Sequence, residues 1–201
     1  KRKLKIEIGL AVLLLLIALF GSFLAPYDPL KVNYDFSLQP PSFLHIFGTD
    51  KLGRDVFSRI LCGAKTSFGL TFLMLFLIVF IGMIVGLIAG LSNDKVESFF
   101  NNIINGLLAF PDTIFAIAIV GIVGAGLFNT VFALALIWWT KYARLTLALV
   151  KQEKKKNYLV ISKMSGVPPL QRVIRYLLPN ILSQILVTAF LDIGNMMISL
   201  A

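Results

Sequence analysis

Long apolar runs with few charges are the feature that most constrains the fold of this 201-residue chain. A helix needs about 20 apolar residues to cross a bilayer, and five windows of roughly that length occur, at 8–24, 68–91, 99–123, 127–144 and 178–201. With 58% hydrophobic and 14% charged residues, the chain lacks the polar residues that a soluble fold of this size needs to cover its surface. The sequence therefore predicts an all-α membrane protein.

The positive charges indicate an orientation for these spans. A cytoplasmic N-terminus places 14 Lys and Arg residues on the cytoplasmic side and 5 on the other. Cytoplasmic loops carry such an excess, so we predict that 26–67 lies outside and 141–177 inside. The net charge of +9 is clustered beside apolar runs and forms no single basic face, so no nucleic-acid partner is expected.

Three glycines in the second span share one helix face, because Gly82, Gly86 and Gly90 are four residues apart. In lipid, such small-residue stripes let another helix approach closely. Glycine is also common in membrane helices in general. Helix packing and simple composition are both open explanations for the stripe.

Two carboxylates lie inside the spans, where an ionisable group costs free energy and needs a reason. Asp112 follows Pro111, which is expected to bend the third span, and Asp192 lies midway along the fifth. Pro111, Asp112 and Asp192 are therefore candidates for a translocation path. The alternative is that these carboxylates make structural hydrogen bonds to neighbouring helices.

An aromatic pair, Trp138 and Trp139, precedes two cations in the fourth span. Tryptophans settle at the level of the lipid headgroups. We therefore expect Lys141 and Arg144 to project from the membrane into the interface.

The sequence contains no pattern typical of an enzyme. Its single histidine and single cysteine are too few for a zinc site. It has no GxSxG, HExxH or phosphate-binding GxxxxGK[ST] motif. We expect no catalytic residue, metal site or cofactor in this chain.

The loop before the second span has helical periodicity. Leu52, Val56 and Ile60 recur every four positions, which predicts an amphipathic helix that begins at residue 51 and leads into the span. Thr49 or Asp50 is expected to cap this helix. Residues of alternating charge have the same spacing: Lys51, Asp55 and Arg59.

The predicted cytoplasmic loop contains a sharp turn between two short helices. The residues before Gly166 favour a helix, on which Tyr158, Ile161 and Ser165 share one face. Gly166 can adopt a positive φ, and the two prolines that follow prevent the helix from continuing. A compact projection over 157–177 is therefore predicted, and it is suited to docking a partner.

Both loop motifs resemble those of the inner-membrane permease subunits of ABC importers for dipeptides, oligopeptides and nickel, the second permease of each pair. That family's outer signature, G-T-D-x-x-G-R-D-x-x-S-R-x-x-x-G-x-x-x-S, is matched at ten positions: Gly48, Thr49, Asp50, Gly53, Arg54, Asp55, Ser58, Arg59, Gly63 and Ser67. Its inner signature, E-A-A-x-x-x-G and then an isoleucine shortly before L-P-N, corresponds to Val160, Ile161, Ser162, Gly166, Ile174, Leu178, Pro179 and Asn180. The resemblance covers essentially the whole chain.

The resemblance implies the transmembrane domain of a type I importer in the bacterial inner membrane. That domain has six spans, so a sixth is expected after residue 201. It further implies a heterodimer with a second permease, two ATPase subunits that use ATP and magnesium, and an extracytoplasmic binding protein that delivers substrate. The chain then divides into an anchor helix with its outer loop (1–67) and a permease core (68–201).

The ATPase-coupling residues that the resemblance implies are Tyr158, Val160, Ile161, Ser162, Lys163, Ser165, Gly166 and Pro179. Val160 replaces the acid of the family's inner loop, so a salt bridge from that acid to the ATPase is absent here. Docking is expected to depend on apolar contact by Val160, Ile161 and Met164, aided by Lys163.

Two other classes of function compete with the importer. A self-contained channel or secondary transporter would use Asp112 and Asp192 as its ion or substrate site, and a scaffold subunit would use neither. The sequence does not choose among a peptide, nickel and a metal bound to a chelator as substrate. The observation that distinguishes these classes is the gene neighbourhood. An importer permease should be encoded beside a second permease, ATPases with a phosphate-binding loop and a binding protein.

Overall fold

A computed structural model describes the backbone of residues 2–200 and their side chains except at positions 2–5, 8, 11 and 14. Over these residues the chain is helical, and the only β pairing is an isolated bridge between Thr49 and Asp55. In chain order the helices are α1 Arg2–Leu24, α2 Val56–Leu91, α3 Asp94–Leu108, α4 Asp112–Val123, α5 Leu127–Lys154, α6 Asn157–Met164, α7 Pro169–Arg172 and α8 Leu178–Leu200. A π-helical segment, Val173–Leu177, joins α7 to α8. The all-α prediction is confirmed.

Within the described residues, three helical segments are each long and apolar enough to cross a membrane, namely α2, α5 and the continuous run Pro169–Leu200. Helix α1 has 23 residues, a length of roughly 34 Å at 1.5 Å per residue. The N-terminal cations at 1–5, on which the predicted orientation partly depends, lie outside the described side chains, as does residue 201. The count of five spans and the cytoplasmic N-terminus stay predictions.

The third predicted span, a single helix over 99–123, consists of two helices. Helices α3 and α4 are bent by 83° relative to each other, and only together are they long enough to cross a membrane. Pro111 causes the break because it has no N–H to donate and disfavours helical geometry in the residue before it. The proline therefore ends one helix and starts another, which is a larger change than the predicted bend.

The amphipathic helix predicted from residue 51 begins five residues later and is the start of α2. Gly53 has a φ of +70°, a left-handed conformation that interrupts a right-handed helix. Asp55 caps α2 in place of Thr49 or Asp50, because its Oδ2 accepts the backbone N–H of Ser58 at 2.7 Å. The predicted row of Lys51, Asp55 and Arg59 therefore does not form on one helix face.

The chain divides into two compact units, residues 1–69 and 70–201. In the first unit, α1 packs closely on the first turns of α2, since a Cβ atom added to Gly21 would lie 3.2 Å from Leu61 Cδ2. In the second unit, α5 contacts α3, α4 and α8. Its apolar core includes Met74, Ile78, Leu134, Tyr142, Val150, Ile181, Ile185 and Met196, all of them buried.

Candidate functional site

The loop formed by residues 26–55, here called the signature loop, is organised around Asp50. Its Oδ1 atom accepts the backbone N–H groups of Leu52 at 2.9 Å and Arg54 at 3.0 Å. Its Oδ2 atom lies 2.8 Å from Arg54 Nη2 and also pairs with Arg59. Partial desolvation opposes ionisation, but the hydrogen bonds and charge of Arg54 outweigh it and lower the pKa of Asp50 from 3.8 to about 2.

A second carboxylate, Asp55, is buried at the end of the same loop. One oxygen lies 2.9 Å from His45 Nδ1 and the other caps α2. Desolvation is outweighed by the hydrogen bonds from Ser58 and His45, so the pKa of Asp55 lies below its ordinary value. Ser58 is itself buried and accepts the N–H of Tyr27 at 3.1 Å.

Two glycines of the signature have backbone conformations that other residues rarely adopt. Gly48 and Gly53 have φ values of +71° and +70°. A Cβ atom on Gly53 would lie 1.6 Å from the carbonyl oxygen of Asn33. The structure thus brings together the signature residues Gly48, Thr49, Asp50, Gly53, Arg54, Asp55, Ser58 and Arg59, and their polar groups bond mainly to one another and to nearby backbone.

The glycine stripe of α2 lies directly against α5. Added Cβ atoms would approach Tyr142 Cβ to 2.6 Å from Gly82, Thr146 Cβ to 2.5 Å from Gly86, and Val150 Cγ1 to 2.7 Å from Gly90. Real Cβ atoms do not approach so closely, so the helices would have to separate to admit any side chain. We call this contact the glycine seam.

On another side of α5, an ion pair joins it to α8. Lys141 Nζ donates to both carboxylate oxygens of Asp192 at 2.8 and 2.7 Å, and the Tyr142 hydroxyl donates to Oδ2 at 2.8 Å. Asp192 is buried, whereas the Lys141 side chain is half-exposed. Lys141 therefore binds a helix partner, where the sequence suggested that it projects into the interface.

A cavity of about 860 Å³ opens beside this ion pair. Its wall contains residues from α3 to α5 and from α8, including Leu108, Pro111, Asp112, Lys141, Arg144, Thr188, Asp192, Asn195 and Ser199. The three path candidates named from the sequence, Pro111, Asp112 and Asp192, thus line one cavity. Arg144 joins them, and its guanidinium donates to Asn105 Oδ1 on α3.

The segment from α6 to the end of the π-helical turn, Asn157 to Leu177, is here called the projection. A buried carboxylate at the end of α5, Glu153, holds its base. Lys156 Nζ lies 2.6 Å from Glu153 Oε1, and the Tyr158 hydroxyl donates to Oε2. Desolvation and this hydrogen bond raise the pKa of Tyr158 to about 12. Glu153 was not predicted from the sequence, where its one signal is that it is a lone acid within a basic run.

The far side of the projection exposes apolar side chains. Val160, Ile161 and Met164 of α6 are 48%, 60% and 82% exposed, and Leu170 and Ile174 are similarly exposed. Ser162 is buried and donates to the carbonyl of Leu159 at 2.8 Å. Among the other coupling candidates, Lys163 and Ser165 are exposed, while Pro179 lies in the first turn of α8.

The turn after α6 has the geometry that Gly166 was expected to supply. Its φ is +74°, and a Cβ atom there would meet nothing within 4 Å. The backbone N–H of Gly166 donates to Lys163 O at 3.2 Å. Glycine is therefore favoured here because the backbone turns through a left-handed conformation, and not because a side chain would clash with its neighbours.

These features define a multi-span α-helical membrane protein with a polar cavity between its helices. Residues 82–201 match the family described as binding-protein-dependent transport system inner membrane component. Residues 8–41 match the N-terminal transmembrane domain of oligopeptide transport permease C. The chain belongs to the binding-protein-dependent transport system inner membrane component family, the type I ABC importer permeases, and is a multi-pass protein of the bacterial inner membrane.

Curated relatives support the same family over nearly the whole chain. The di/tripeptide transport system permease protein DppC of Pseudomonas aeruginosa is 37% identical over 96% of this chain and 66% of its own length. The nickel transport system permease protein NikC of Escherichia coli K12 is 33% identical, over 98% of this chain and 71% of its own. The dipeptide transport system permease protein DppC of that strain is 35% identical, over 100% and 70%. The chain thus spans about two thirds of the length of these relatives.

Proposed function

We propose that this chain forms one half of the translocation pathway of an ATP-driven importer for peptides or nickel, free or chelated. A second, homologous permease supplies the other half of the pathway. Two separate ATPase subunits bind ATP and magnesium and dock on the projection. An extracytoplasmic binding protein delivers the substrate, and this chain performs no catalysis itself.

The observation that carries this proposal is the exposed apolar side of the projection. Val160, Ile161 and Met164 form a cluster on a short helix beside a basic segment, where positive charge favours the cytoplasmic side. Contiguous exposed apolar side chains on a segment outside the spans are typical of a protein interface. An ATPase subunit is the partner that the family membership favours for this interface.

The base of the projection supports its action as a lever. The Tyr158 hydroxyl donates to Glu153 and accepts from Asn180 Nδ2 at 3.2 Å. Glu153 belongs to α5 and Asn180 to α8, so one side chain of the projection connects both helices. Movement of a docked ATPase would then pass to α5 and α8, which are two of the helices that line the cavity.

Co-purification of the ATPase subunits with the chain tests the docking surface. Ile161→Glu places a charge in the apolar cluster and is expected to lower ATPase recovery at least fivefold. Phe43→Glu is the matched control, because Phe43 is fully exposed on the signature loop and its replacement leaves recovery unchanged. Equal recovery of ATPase with Ile161→Glu and with the unchanged chain would contradict the proposal.

A pair of substitutions at Gly166 separates docking from coupling. Asn tolerates a left-handed backbone whereas proline fixes φ near −65° and removes the N–H. We expect Gly166→Asn to preserve binding-protein-stimulated ATP hydrolysis in the assembled complex. Gly166→Pro should abolish the stimulation, and normal stimulation in that variant would contradict the lever.

The alternative of a self-contained channel or secondary transporter draws less support from the same geometry. Its ion site would use Asp112 and Asp192, but the Asp192 carboxylate is already occupied by Lys141 and Tyr142. Uptake driven by an ion gradient in the absence of ATPase subunits would favour this alternative.

A further inference from the structure

We propose that the cavity between α3, α4, α5 and α8 is a transient binding site for a zwitterionic solute such as a short peptide. Asp112 would receive its ammonium group and Arg144 its carboxylate. This inference rests on the proposed function, to which it adds the site within this chain and the two residues that recognise the ends of the solute.

The cavity lies at the break between two helices that only together are long and apolar enough to cross a membrane. Phe110 and Pro111, at the 83° break between α3 and α4, are part of its wall. Backbone that leaves helical geometry at membrane depth is tolerated where it is buried in protein or lines a wet cavity. Broken helices with such cavities are the places where transporters bind their solutes.

Four charged side chains line the cavity, and two of them neutralise each other. Asp192 and Lys141 form an ion pair, to which Tyr142 adds a third hydrogen bond. This pair leaves one cation and one anion on the wall, Arg144 and Asp112.

The remaining two charges have only uncharged partners in the described part of the chain. Arg144 donates to the side-chain amide of Asn105, and Asp112 accepts the backbone N–H of Thr113 at 2.8 Å. The structure contains no ion pair between Asp112 and Arg144 within its described residues. Each therefore keeps capacity to bind a charge of opposite sign on a ligand.

The pattern of charges selects among substrate classes. A free divalent nickel ion needs several N, O or S ligands, and the described residues contain no group of three His, Cys, Asp or Glu side chains. A cation would also be repelled by Arg144. A solute with an ammonium at one end and a carboxylate at the other satisfies both free charges.

The size and lining of the cavity suit a small peptide. Its volume of about 860 Å³ lies within the range of roughly 300–1,000 Å³ typical of small-molecule sites. Apolar residues such as Leu108, Ile137 and Ile198 occupy the wall among the charged groups. Contacts of this kind accept side chains of varied shape, and the two ends of the peptide supply the orientation.

Equilibrium dialysis of the complete importer complex in lipid nanodiscs, without the binding protein, tests this site directly. The probes are dialanine, its C-terminal amide, its N-acetyl derivative and nickel chloride. We expect dialanine to bind in the millimolar range. The unchanged complex should bind each blocked derivative about tenfold more weakly than dialanine. The variants Arg144→Gln and Asp112→Asn should each bind dialanine about tenfold more weakly than the unchanged complex does. In every case one charge-assisted hydrogen bond is lost.

The pairing of variants with blocked probes is the specific readout. Arg144→Gln should not weaken binding of the amide, since that probe has no carboxylate to lose and its positive charge is no longer repelled. Asp112→Asn should in the same way not weaken binding of the acetylated probe. Asp94→Asn and Lys95→Gln are matched controls on exposed residues of α3 outside the cavity, and both should bind dialanine normally.

Two outcomes would overturn the inference. One is equal dialanine binding by the unchanged complex and by both cavity variants, provided the variants elute from size exclusion as intact complexes. The other is tighter binding of nickel than of dialanine, with the nickel binding lost in Asp112→Asn. Failure of the proposed function has a different signature, namely no ATP-dependent uptake of any substrate after addition of the binding protein.

Discussion

Two sides of helix α5 make contacts of opposite chemical character. Toward α2, three glycines bring the backbones together and leave no room even for a Cβ atom. Toward α8, a buried carboxylate pairs with Lys141 and Tyr142 at the edge of a cavity of about 860 Å³. The first contact is dry and close, and the second is polar and adjoins open space.

One helix can therefore act as a packing scaffold on one side and as the wall of a cavity on another. Close packing in lipid derives its stability from van der Waals contact over many atoms, and such a contact has few alternative arrangements. An ion pair beside a cavity can exchange its partners for water or solute. We therefore place the fixed part of the molecule at the glycine seam and the moving part at the contact between α5 and α8.

The largest effect is expected from breaking the glycine seam. Gly86→Leu would force α2 away from α5, because even a Cβ atom would lie 2.5 Å from Thr146. Overpacking of this severity costs about 3 kcal/mol or more, so the melting temperature of the purified complex should fall steeply. Gly106→Leu is the control, since a Cβ atom at Gly106 meets nothing within 4 Å. Equal melting temperatures for the two variants would remove the distinction between the two sides of α5.

A smaller loss of stability is expected from breaking the ion pair between Lys141 and Asp192. Asp192→Ala leaves Lys141 and Tyr142 without their acceptor and should cost about 2 kcal/mol, less than for a fully buried pair because the Lys141 side chain is half-exposed. A second substitution, Lys141→Met, should recover part of this loss. Thermal unfolding of the four members of this double-mutant cycle measures the coupling, and strictly additive effects would show that the pair contributes nothing.

A smaller effect on stability is expected at the C-terminal end of α5, where Tyr158 of the projection bonds to Glu153. Tyr158→Phe removes the hydroxyl that donates to Glu153 and accepts from Asn180, at an expected cost of about 1 kcal/mol. Since Lys156 still pairs with Glu153, the helix end should stay folded. The stronger readout is ATP hydrolysis, whose stimulation by the binding protein should fall while ATPase recovery is unchanged. If the binding protein stimulates ATP hydrolysis as strongly in Tyr158→Phe as in the unchanged complex, Tyr158 has only a structural role.

The smallest effect is expected from the ion cluster that Asp50 forms with Arg54 and Arg59, which is partly exposed. The folded pKa of Asp50, about 2, lies below its ordinary value of 3.8. Its stabilising contribution is therefore fully present above about pH 4 and is lost as the pH falls through about 2. Asp50→Asn should make the loop more sensitive to protease at neutral pH, and the difference from the unchanged chain should disappear near pH 2. Asp35→Asn, at an exposed residue of the same loop, is the control that should show no difference at any pH.

Features with local causes were the ones that the sequence could predict. Apolar length predicts the helices, and the four-residue period predicts a face shared by Gly82, Gly86 and Gly90. The position of the break in the third span follows from Pro111 alone. Its angle of 83° does not, because that angle depends on how α3 and α4 each pack against α5.

Features that depend on distant residues were missed or misassigned. Lys141 and Asp192 are 51 residues apart, and the tryptophans beside Lys141 indicated an interface position for it. The helix predicted from residue 51 failed for a related reason. Its apolar period is real, but Gly53 has a left-handed conformation in close contact with the Asn33 backbone, and no local pattern predicts that contact.

The most direct test of the account is substrate uptake by the reconstituted system. Proteoliposomes would contain this chain, a second permease and the ATPase subunits, with binding protein outside and labelled dialanine as substrate. We predict uptake that requires ATP, requires the binding protein and is lost with Gly166→Pro. Uptake by this chain without the ATPase subunits, driven by an ion gradient, would contradict it.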